Sequence, residues 1–328
     1  MRLVRKPALA AEALAAGYLA ALPTETVYGL GGQADDPQAI ARIYAVKGRP
    51  ADHPLIVHLR SSEVLGAWAR TIPDYAATLA STYWPGPLTL VLPRTARAGD
   101  HLTAGQDSVA LRVAAHPAMA EVQAHLADLV HDEAVGIAAP SANRFGRVSP
   151  TTAEHVRLEL AEYLADQDVI LDAGPCQVGI ESTIVDCTID HPRLLRPGAI
   201  SAEQIEELTG LTVTHGSPIR ASGTLASHYA PAAQVTLAAD VGELVLQAEP
   251  QASASIGLLA LAHIPTPVGV VRLAAPEDAQ EYATVLYAAL READALGLER
   301  VIAIPPPATG IGLGIHDRLM RAAHPRDR

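Results

Sequence analysis

Residues 35–59 read DDPQAIARIYAVKGRPADHPLIVHL, and this stretch points to the fold class. The Asp-Pro pair at 36–37 predicts a helix start, because aspartate caps free N–H groups and proline suits the first turn. Apolar residues recur at helical spacing between 40 and 46, and Gly48 then ends the helix. The apolar run at 54–59 follows as a buried strand. A helix followed directly by a strand is typical of an α/β protein.

The same alternation extends on both sides of this stretch. Further short apolar runs predict strands at 88–92, 109–113, 135–139, 169–171 and 183–185. Helical patterns lie between them, at 61–83, 117–128, 152–164 and 201–208. The first part of the chain is therefore predicted to be a mixed α/β domain, with the parallel or antiparallel sense of each strand left open.

The alternation of helix and strand patterns is interrupted after residue 214. Residues 215–233 are polar, contain glycine and lack periodicity, which predicts a linker or a lid. Strand and helix patterns then resume, with strands at 234–237, 255–261, 268–273 and 300–304 and helices at 277–296 and 312–323. We therefore expect a first α/β domain at 1–214, a linker at 215–233 and a smaller Rossmann-like α/β domain at 234–328.

Composition and charge exclude several classes of protein. The 328 residues are 49% hydrophobic and 18% charged, enough for a sizeable core, and the net charge is −12. Residues 1–215 carry a net charge of −9 and the remainder −3, so neither part is a basic nucleic-acid coat. Two cysteines exclude a disulfide scaffold and a CxxC zinc site. With no long apolar run, we expect a cytoplasmic protein without a membrane partner.

Four segments are rich in polar residues and glycine, at 22–31, 47–55, 138–151 and 172–183. Each has an ordinary explanation, such as a capped turn, a helix C-terminus complemented by cations, or a helix N-cap. Together they supply cations to an acidic domain, and these are Lys47, Arg49, Arg112, Arg144 and Arg196. Surface placement of the arginines stays open at this point. A shared cavity for a polyanion such as a nucleotide is the alternative, although no Walker loop or complete GxGxxG motif is present.

Seven motifs occur in an order that resembles the YrdC-domain family. They are PTETVYGLG, KGRP with a following HPL, WPGPLTLVL, APSAN, the SPT run at 149–151, GIESTIVD and LLRPG. The SHYAP sequence at 227–231 and the tail are similar to the two-domain form, the threonylcarbamoyl-AMP synthases. The resemblance implies a YrdC-like twisted mixed sheet with a large cavity and a smaller C-terminal domain.

The same resemblance implies an activity. L-Threonine, bicarbonate and ATP would give threonylcarbamoyl-AMP and pyrophosphate, with Mg²⁺ carried by the ATP phosphates rather than by protein ligands. The product would pass to a downstream threonylcarbamoyl transferase that modifies adenosine 37 of tRNA. The protein would thus be a nucleotidyltransferase, and a weak contact with tRNA or double-stranded RNA is compatible with this function.

The resemblance also carries over residue by residue. The implied catalytic residues are Lys47 and Arg49. The implied ATP site consists of Arg49, His53, Ser108, Ser141, Asn143, Ser149, Arg196 and Tyr229. The implied threonine site consists of Thr26, His58, Arg112, Ala139 and Ser182. Two departures are visible, since His53 stands where asparagine is often found and the linker lacks the lysines of the KYKHYAP version.

Two functions of other classes remain open from the sequence. One is a non-catalytic RNA-binding module, which the negative charge of the first domain disfavours. The other is a carbamoyl-transfer maturation factor, which would need zinc-finger and acylphosphatase modules for which two cysteines and this length do not suffice.

Overall fold

The computed structural model describes residues 1–223, 228–240, 242–243 and 255–324. The chain divides into two compact units. The first comprises Met1–Phe145, Pro150–Gln177 and Glu181–Thr224, and the second comprises Gly146–Ser149, Val178–Ile180 and Leu225–Arg328. Part of the predicted linker, at 224–227, lies outside the described residues, so the domain boundaries drawn from the sequence stay predictions.

One mixed sheet organises the described part of the first unit. Its strands are β1 (Arg2–Val4), β2 (Ala20–Leu22), β3 (Gly29–Gln33), β4 (Ile56–His58), β5 (Leu88–Pro93), β6 (Ser108–Arg112), β7 (Ile137–Ala138), β8 (Val169–Leu171), β9 (Thr183–Asp186), β10 (Arg193–Arg196) and β11 (Thr214–His215). Their spatial order is β1-β8-β2-β3-β7-β4-β6-β5-β9-β10-β11. The sheet contains both parallel pairs such as β4–β6 and antiparallel pairs such as β5–β6, which confirms the mixed sheet.

This strand order brings distant motifs to one region. Strands β3, β7, β4, β6, β5 and β9 are consecutive neighbours in the sheet, although they span residues 29 to 186 of the chain. In the register of the parallel pair, His58 lies opposite Arg112. A bridge joins Gly29 to Ser141. Sheet pairing, rather than proximity along the chain, therefore positions the polar segments.

Helices cover the sheet of the first unit. They are α1 (Pro7–Ala15), α2 (Pro37–Lys47), α3 (Leu65–Trp68), α4 (Asp74–Tyr83), α5 (Asp100–Thr103), α6 (Pro117–Val130), α7 (Ala153–Leu160) and α8 (Ala202–Thr209). As expected, the Asp36 side chain caps α2 and Gly48 ends it with φ of 60°. The predicted helix at 61–83 is wrong as a single element, because it divides into a 3₁₀ turn, α3 and α4. Pro73 stands as the N-cap of α4, in extended conformation.

The second unit contains its own parallel sheet. Strands β12 (Gln234–Leu237), β13 (Ile256–Leu259), β14 (Val271–Ala274) and β15 (Arg300–Ala303) lie in the order β12-β15-β13-β14. Helices α9 (Ala279–Ala295) and α10 (Ile311–Ala323) follow β14 and β15 respectively. A parallel sheet with helices after β14 and β15 confirms the small α/β domain that the sequence predicts. Among the described residues, no helix combines the length and apolarity needed to cross a bilayer.

A buried aspartate connects three elements at one end of the first sheet. The Asp168 carboxylate accepts hydrogen bonds from the Leu19 amide at 2.9 Å, from the Ala165 amide at 2.8 Å and from Arg42 Nη2 at 2.7 Å. Its side chain is fully buried, whereas Arg42 remains one-third exposed. Removal of this carboxylate leaves two backbone donors near β2 and β8 without their acceptor, and desolvated donors are costly.

We therefore expect Asp168→Ala to lower the free energy of unfolding of the first unit by about 3 kcal/mol. Urea titration followed by circular dichroism measures this change. The matched control is Asp166→Ala, because the Asp166 side chain is fully exposed two residues away, and it should change stability by less than about 0.5 kcal/mol. Equal effects of the two substitutions would contradict the assigned role of Asp168.

Candidate active site

A buried lysine joins two of the predicted motifs. Lys47, the last residue of α2, is 2% exposed, and its Nζ donates to the carbonyl oxygens of Ser141 at 2.5 Å and Asn143 at 2.6 Å. Burial, reinforced by the charge of Arg49, holds the pKa of Lys47 well below its ordinary value. In this geometry, the ammonium group fixes the backbone of the loop that carries the S-x-N motif.

Backbone contacts tie the same loop to the end of α2. The Phe145 amide donates to the Lys47 carbonyl at 2.8 Å, and Arg144 Nη1 donates to the Val46 carbonyl at 2.5 Å. Gly48 lies against the Arg144 guanidinium and has a φ of 60°, and this left-handed backbone conformation is what favours glycine here. The K-x-R and S-x-N motifs therefore form one local structure.

Two arginines of the predicted ATP site converge on one residue of the predicted linker. Arg49 Nη2 donates to Ser222 Oγ at 3.1 Å, and Arg196 Nη1 donates to the Ser222 carbonyl at 2.8 Å. Arg49 Nη2 also binds the Pro54 carbonyl at 2.8 Å, which Ser222 Oγ contacts at 2.9 Å. Oxygen atoms of the linker thus occupy donors that an anion would use.

Ser108 of the predicted ATP site lines a narrow cavity beneath the same linker segment. The cavity, of about 10 Å³, is bounded by Ser108, Pro54, Arg220 and Ser222 among others, and it has room for about one water molecule rather than a nucleotide. Ala221 packs with apolar residues of β4, β5 and β9 beside it. The linker residues 219–222 therefore pack on the sheet of the first unit.

His53, also predicted in the ATP site, lies beside this region. Its ring packs against Phe145 at a centroid distance of 5.5 Å. Burial and then the charge of Arg49 lower the pKa of His53, while the nearby Asp52 carboxylate opposes this shift. The imidazole is therefore biased toward its neutral form, which can accept as well as donate a hydrogen bond.

Arg112 of the predicted threonine site forms a buried ion pair. Its Nη2 donates to Glu25 Oε1 at 2.7 Å and to Thr26 Oγ1 at 2.9 Å, and its Nε donates to the Gly86 carbonyl at 3.2 Å. Glu25 Oε2 accepts from the Ala115 amide at 3.1 Å. Both side chains are less than 10% exposed. Nη1 is the nitrogen of this guanidinium that binds no acceptor in the described part of the chain.

His58 lies next to Arg112 in the sheet and is buried. Burial, followed by the charge of Arg112, lowers its pKa to about 3, and the backbone of Ala139 partly opposes the shift. Its Nδ1 has no hydrogen-bond partner within the described residues. A neutral histidine with an unpartnered buried nitrogen is suited to bind a hydroxyl or amine group of a small ligand.

Ser182 links the two predicted substrate sites. Its hydroxyl shares a hydrogen bond with Thr89 Oγ1 at 2.8 Å and accepts from Arg196 Nη2 at 3.2 Å. The Ser182 carbonyl accepts two further bonds from Arg196, at 3.0 and 2.9 Å. A displacement of Ser182 would therefore also change the hydrogen bonds of Arg196, which is predicted to bind ATP.

Two predicted ATP residues, Ser149 and Tyr229, belong to the second unit. Both are almost completely buried, with 0% and 1% exposure respectively. Tyr229 has a φ of 61° and stacks on Tyr287 at a centroid distance of 5.6 Å. The first unit thus contains the other predicted site residues, while these two are held within the second.

Comparison with known proteins places this arrangement in a family. Residues 12–198 match the family described as Telomere recombination, the Sua5, YciO and YrdC group, and residues 200–324 match the threonylcarbamoyl-AMP synthase C-terminal domain. A threonylcarbamoyl-AMP synthase of Pyrococcus abyssi is 37% identical over 330 residues, which cover 96% of this chain and 93% of the relative. This chain belongs to the threonylcarbamoyl-AMP synthase family.

Other relatives give the same result. A threonylcarbamoyl-AMP synthase of Bacillus subtilis is 39% identical over 331 residues, covering 96% of this chain and 92% of the relative. The crystal structure of P. abyssi Sua5 complexed with L-threonine superimposes with a TM-score of 0.86 at 35% identity, covering 98% of this chain and 97% of that one. The family, the fold and the enzyme class drawn from the sequence are thereby confirmed.

Three residues of this synthase family member were not singled out from the sequence, although the structure connects them to predicted site residues. They are Glu25, which binds Arg112, Thr89, which binds Ser182, and Ser222, which binds Arg49. Of these three residues, only Glu25 stands out in the sequence, because it is the one charged residue in the segment 22–31. The roles of the predicted site residues stay predictions.

The depressed pKa of His58 has a consequence for stability. Because the folded-state value of about 3 lies below the ordinary 6.5, the unfolded chain binds more protons between these values. Stability from this residue is therefore fully present above pH 6.5 and is lost as the pH falls toward 3. We expect wild type to lose about 3 kcal/mol more than His58→Gln between pH 7 and pH 4.

Urea titrations of both proteins at the two pH values measure the difference. The exposed His125 supplies a matched control, and His125→Gln should follow the wild-type pH dependence. If His58→Gln also followed it, the neutral buried state of His58 would be refuted.

Proposed function

We propose that this protein catalyses the synthesis of threonylcarbamoyl-AMP and pyrophosphate from L-threonine, bicarbonate and ATP, for the threonylcarbamoyl modification of adenosine 37 in tRNA. The observation that carries the proposal is the convergence of Arg49 and Arg196 on Ser222, adjoining the loop that Lys47 fixes. Guanidinium groups that converge on oxygen atoms of one residue are suited to hold phosphate. The names of the full-length relatives support the same reaction.

The chemistry needs alignment and charge neutralisation more than covalent help. The threonine amine and bicarbonate combine into a carbamate with loss of water. A carbamate oxygen then attacks the α-phosphorus of ATP, the bond from this phosphorus to the bridging oxygen breaks, and pyrophosphate leaves with the bond electrons. Phosphoryl-type transfers of this kind depend on positioning and electrostatic stabilisation.

In this proposal, Arg49 and Arg196 neutralise the ATP phosphates. Phosphate oxygens would take the place of the Ser222 hydroxyl and carbonyl oxygens, which the same guanidinium donors now bind. Ser222 lies in the predicted lid at 215–233, so its displacement would couple ATP entry to movement of the linker. Mg²⁺ is proposed to arrive on the ATP phosphates. The described residues contain no group of three or more metal-binding side chains, and no step is assigned to a protein-bound metal.

Arg112 is proposed to hold the threonine carboxylate through Nη1. Its other nitrogens already bind Glu25, Thr26 and the Gly86 carbonyl, so a clamp through two nitrogens would require rearrangement of the buried ion pair. His58 Nδ1 is left to contact the threonine hydroxyl or amine. Contact with tRNA or with a transferase partner stays a prediction from the resemblance.

The reaction is tested by isotope exchange between labelled pyrophosphate and ATP. We expect exchange only when threonine and bicarbonate are both present, because ATP is attacked by the carbamate and not by threonine itself. Mass spectrometry of the products should detect threonylcarbamoyl-AMP. Exchange without bicarbonate, or no exchange with all substrates, would overturn the proposed function. Salt-dependent tRNA binding without ATP turnover would instead favour the RNA-binding alternative.

Lys47 provides a second test, because the chain has only two lysines. Lys47→Ala removes both hydrogen bonds to the S-x-N loop, and we expect kcat/KM for pyrophosphate release to fall by about 100-fold or more while the protein stays folded. The matched control is Lys6→Ala, because Lys6 is exposed and should leave activity unchanged.

Circular dichroism and thermal unfolding of both variants establish that they are folded. Wild-type activity in a folded Lys47→Ala protein would remove Lys47 from the mechanism. Unfolding of this variant would be resolved with Lys47→Met, which keeps much of the buried stem but cannot donate a hydrogen bond.

A further inference from the structure

One face of α9 contacts three separate segments of the chain. Ala283, Tyr287 and Arg291 occupy successive positions four residues apart, which places them on the same side of the helix. Each contacts a segment that contains or adjoins a residue assigned above to substrate binding. All of these segments belong to the second unit together with α9.

Arg291 holds the first of these segments. Its Nε donates to the Ser149 carbonyl at 3.4 Å, and its Nη2 donates to the Val148 carbonyl. The side chains of Val148 and Ser149 are buried. A charged donor that binds two consecutive carbonyls fixes the path of the backbone more strictly than a neutral contact. Arg291 therefore determines where the Ser149 segment lies on α9.

Gly179 brings the second segment against the helix. It adopts φ of 84°, and a Cβ atom there would lie 2.2 Å from the Ala283 carbonyl and 2.4 Å from the Thr284 Cα. No side chain other than hydrogen fits at this separation. The chain continues from Ile180 to Ser182, the predicted threonine-site residue, so the position of Gly179 limits where Ser182 can be.

Tyr287 contacts the third segment. Its ring stacks on Tyr229, with the planes inclined by 29°, and Arg318 lies over the Tyr229 ring at 5.5 Å. The amide of Ala230 donates to the carbonyl of Gly146 at 3.1 Å, which joins this segment to the one held by Arg291. The segments of two predicted ATP residues, Ser149 and Tyr229, thus both contact α9.

We propose that α9 is the element of the C-terminal domain that positions the substrate-binding segments of the synthase, with Arg291 as the positioning residue for Ser149. The proposal rests on the proposed function and assigns the domain a role in that reaction. Arg291 need not contact substrate. Arg291 contacts the Ser149 segment through two backbone carbonyls. We therefore expect its loss to change the KM for ATP more than kcat.

The experiment compares Arg291→Met, Arg291→Lys and Arg272→Met in the full chain. Arg272 is the matched control, because it also donates to backbone carbonyls, those of Ala260, Leu261 and Ile264, but contacts none of the three segments. We expect Arg291→Met to raise the KM for ATP by about tenfold with kcat changed by less than about twofold. Arg291→Lys should raise the KM for ATP less than Arg291→Met does. Arg272→Met should lower the thermal unfolding midpoint without raising the KM for ATP.

Gly179→Ala tests the second contact, and Gly174→Ala controls for it. Both glycines have positive φ, but a Cβ atom on Gly174 meets nothing within 4 Å. Backbone strain is therefore common to both substitutions, and only Gly179→Ala adds the clash with α9. We expect the KM for threonine to rise several-fold in Gly179→Ala alone, through displacement of Ser182.

Amide hydrogen exchange separates this proposal from the proposed function. Peptides that cover 146–149 should exchange faster in Arg291→Met than in wild type, whether or not the protein turns over ATP. If wild type released no pyrophosphate, the proposed function would fail. In that case, the positioning role of Arg291 would also be overturned if amide hydrogen exchange at 146–149 were the same in Arg291→Met and in wild type. In an active enzyme, a KM for ATP within twofold of wild type in Arg291→Met would overturn it.

Discussion

The arrangement of the predicted catalytic residues depends on one buried ammonium group. Lys47 gives two of its three N–H donors to the carbonyls of Ser141 and Asn143, at the point where α2 ends. Burial of this group is unfavourable unless oxygen atoms surround it, so the loop must close around the side chain. Gly48, Arg144 and Phe145 complete this closure through contacts with the helix end. A lysine at this position therefore organises the backbone as much as it supplies charge.

The second constraint is the competition for guanidinium donors. Arg49 and Arg196 bind oxygen atoms of Ser222, whereas Arg112 is committed to Glu25 and Thr26. The two environments differ in a way that matters for binding. Neutral oxygen atoms of a linker can be exchanged for phosphate, but a buried carboxylate holds its arginine strongly. The geometry therefore suits a replaceable contact at Arg49 and Arg196 and a permanent one at Arg112.

Much of the fold could be predicted from the sequence, because helix and strand signals are local. The strand at 234–237 and the helix end at Gly48 lie where their patterns place them. The helix expected at 61–83 failed because α3 ends at Trp68 and the chain is extended at Ala69 and at Pro73, the N-cap of α4. The contacts of Glu25, Thr89 and Ser222 could not be predicted, because each depends on the pairing of segments distant in the chain. Ordered sequence motifs identify the candidate site residues, whereas the pairing of distant strands determines which residues they contact.

The pairing of β1 with β8 has a consequence for biosynthesis. The register joins Arg2 to Val169, so the first strand finds its neighbour only when the chain has been made as far as residue 169. Contacts between such distant residues form slowly, because a long loop must be closed before they are gained. A nascent chain that has emerged from the ribosome only as far as β7 would expose β1 and β2 without their shared neighbour. Completion of this edge of the sheet therefore awaits translation past residue 171.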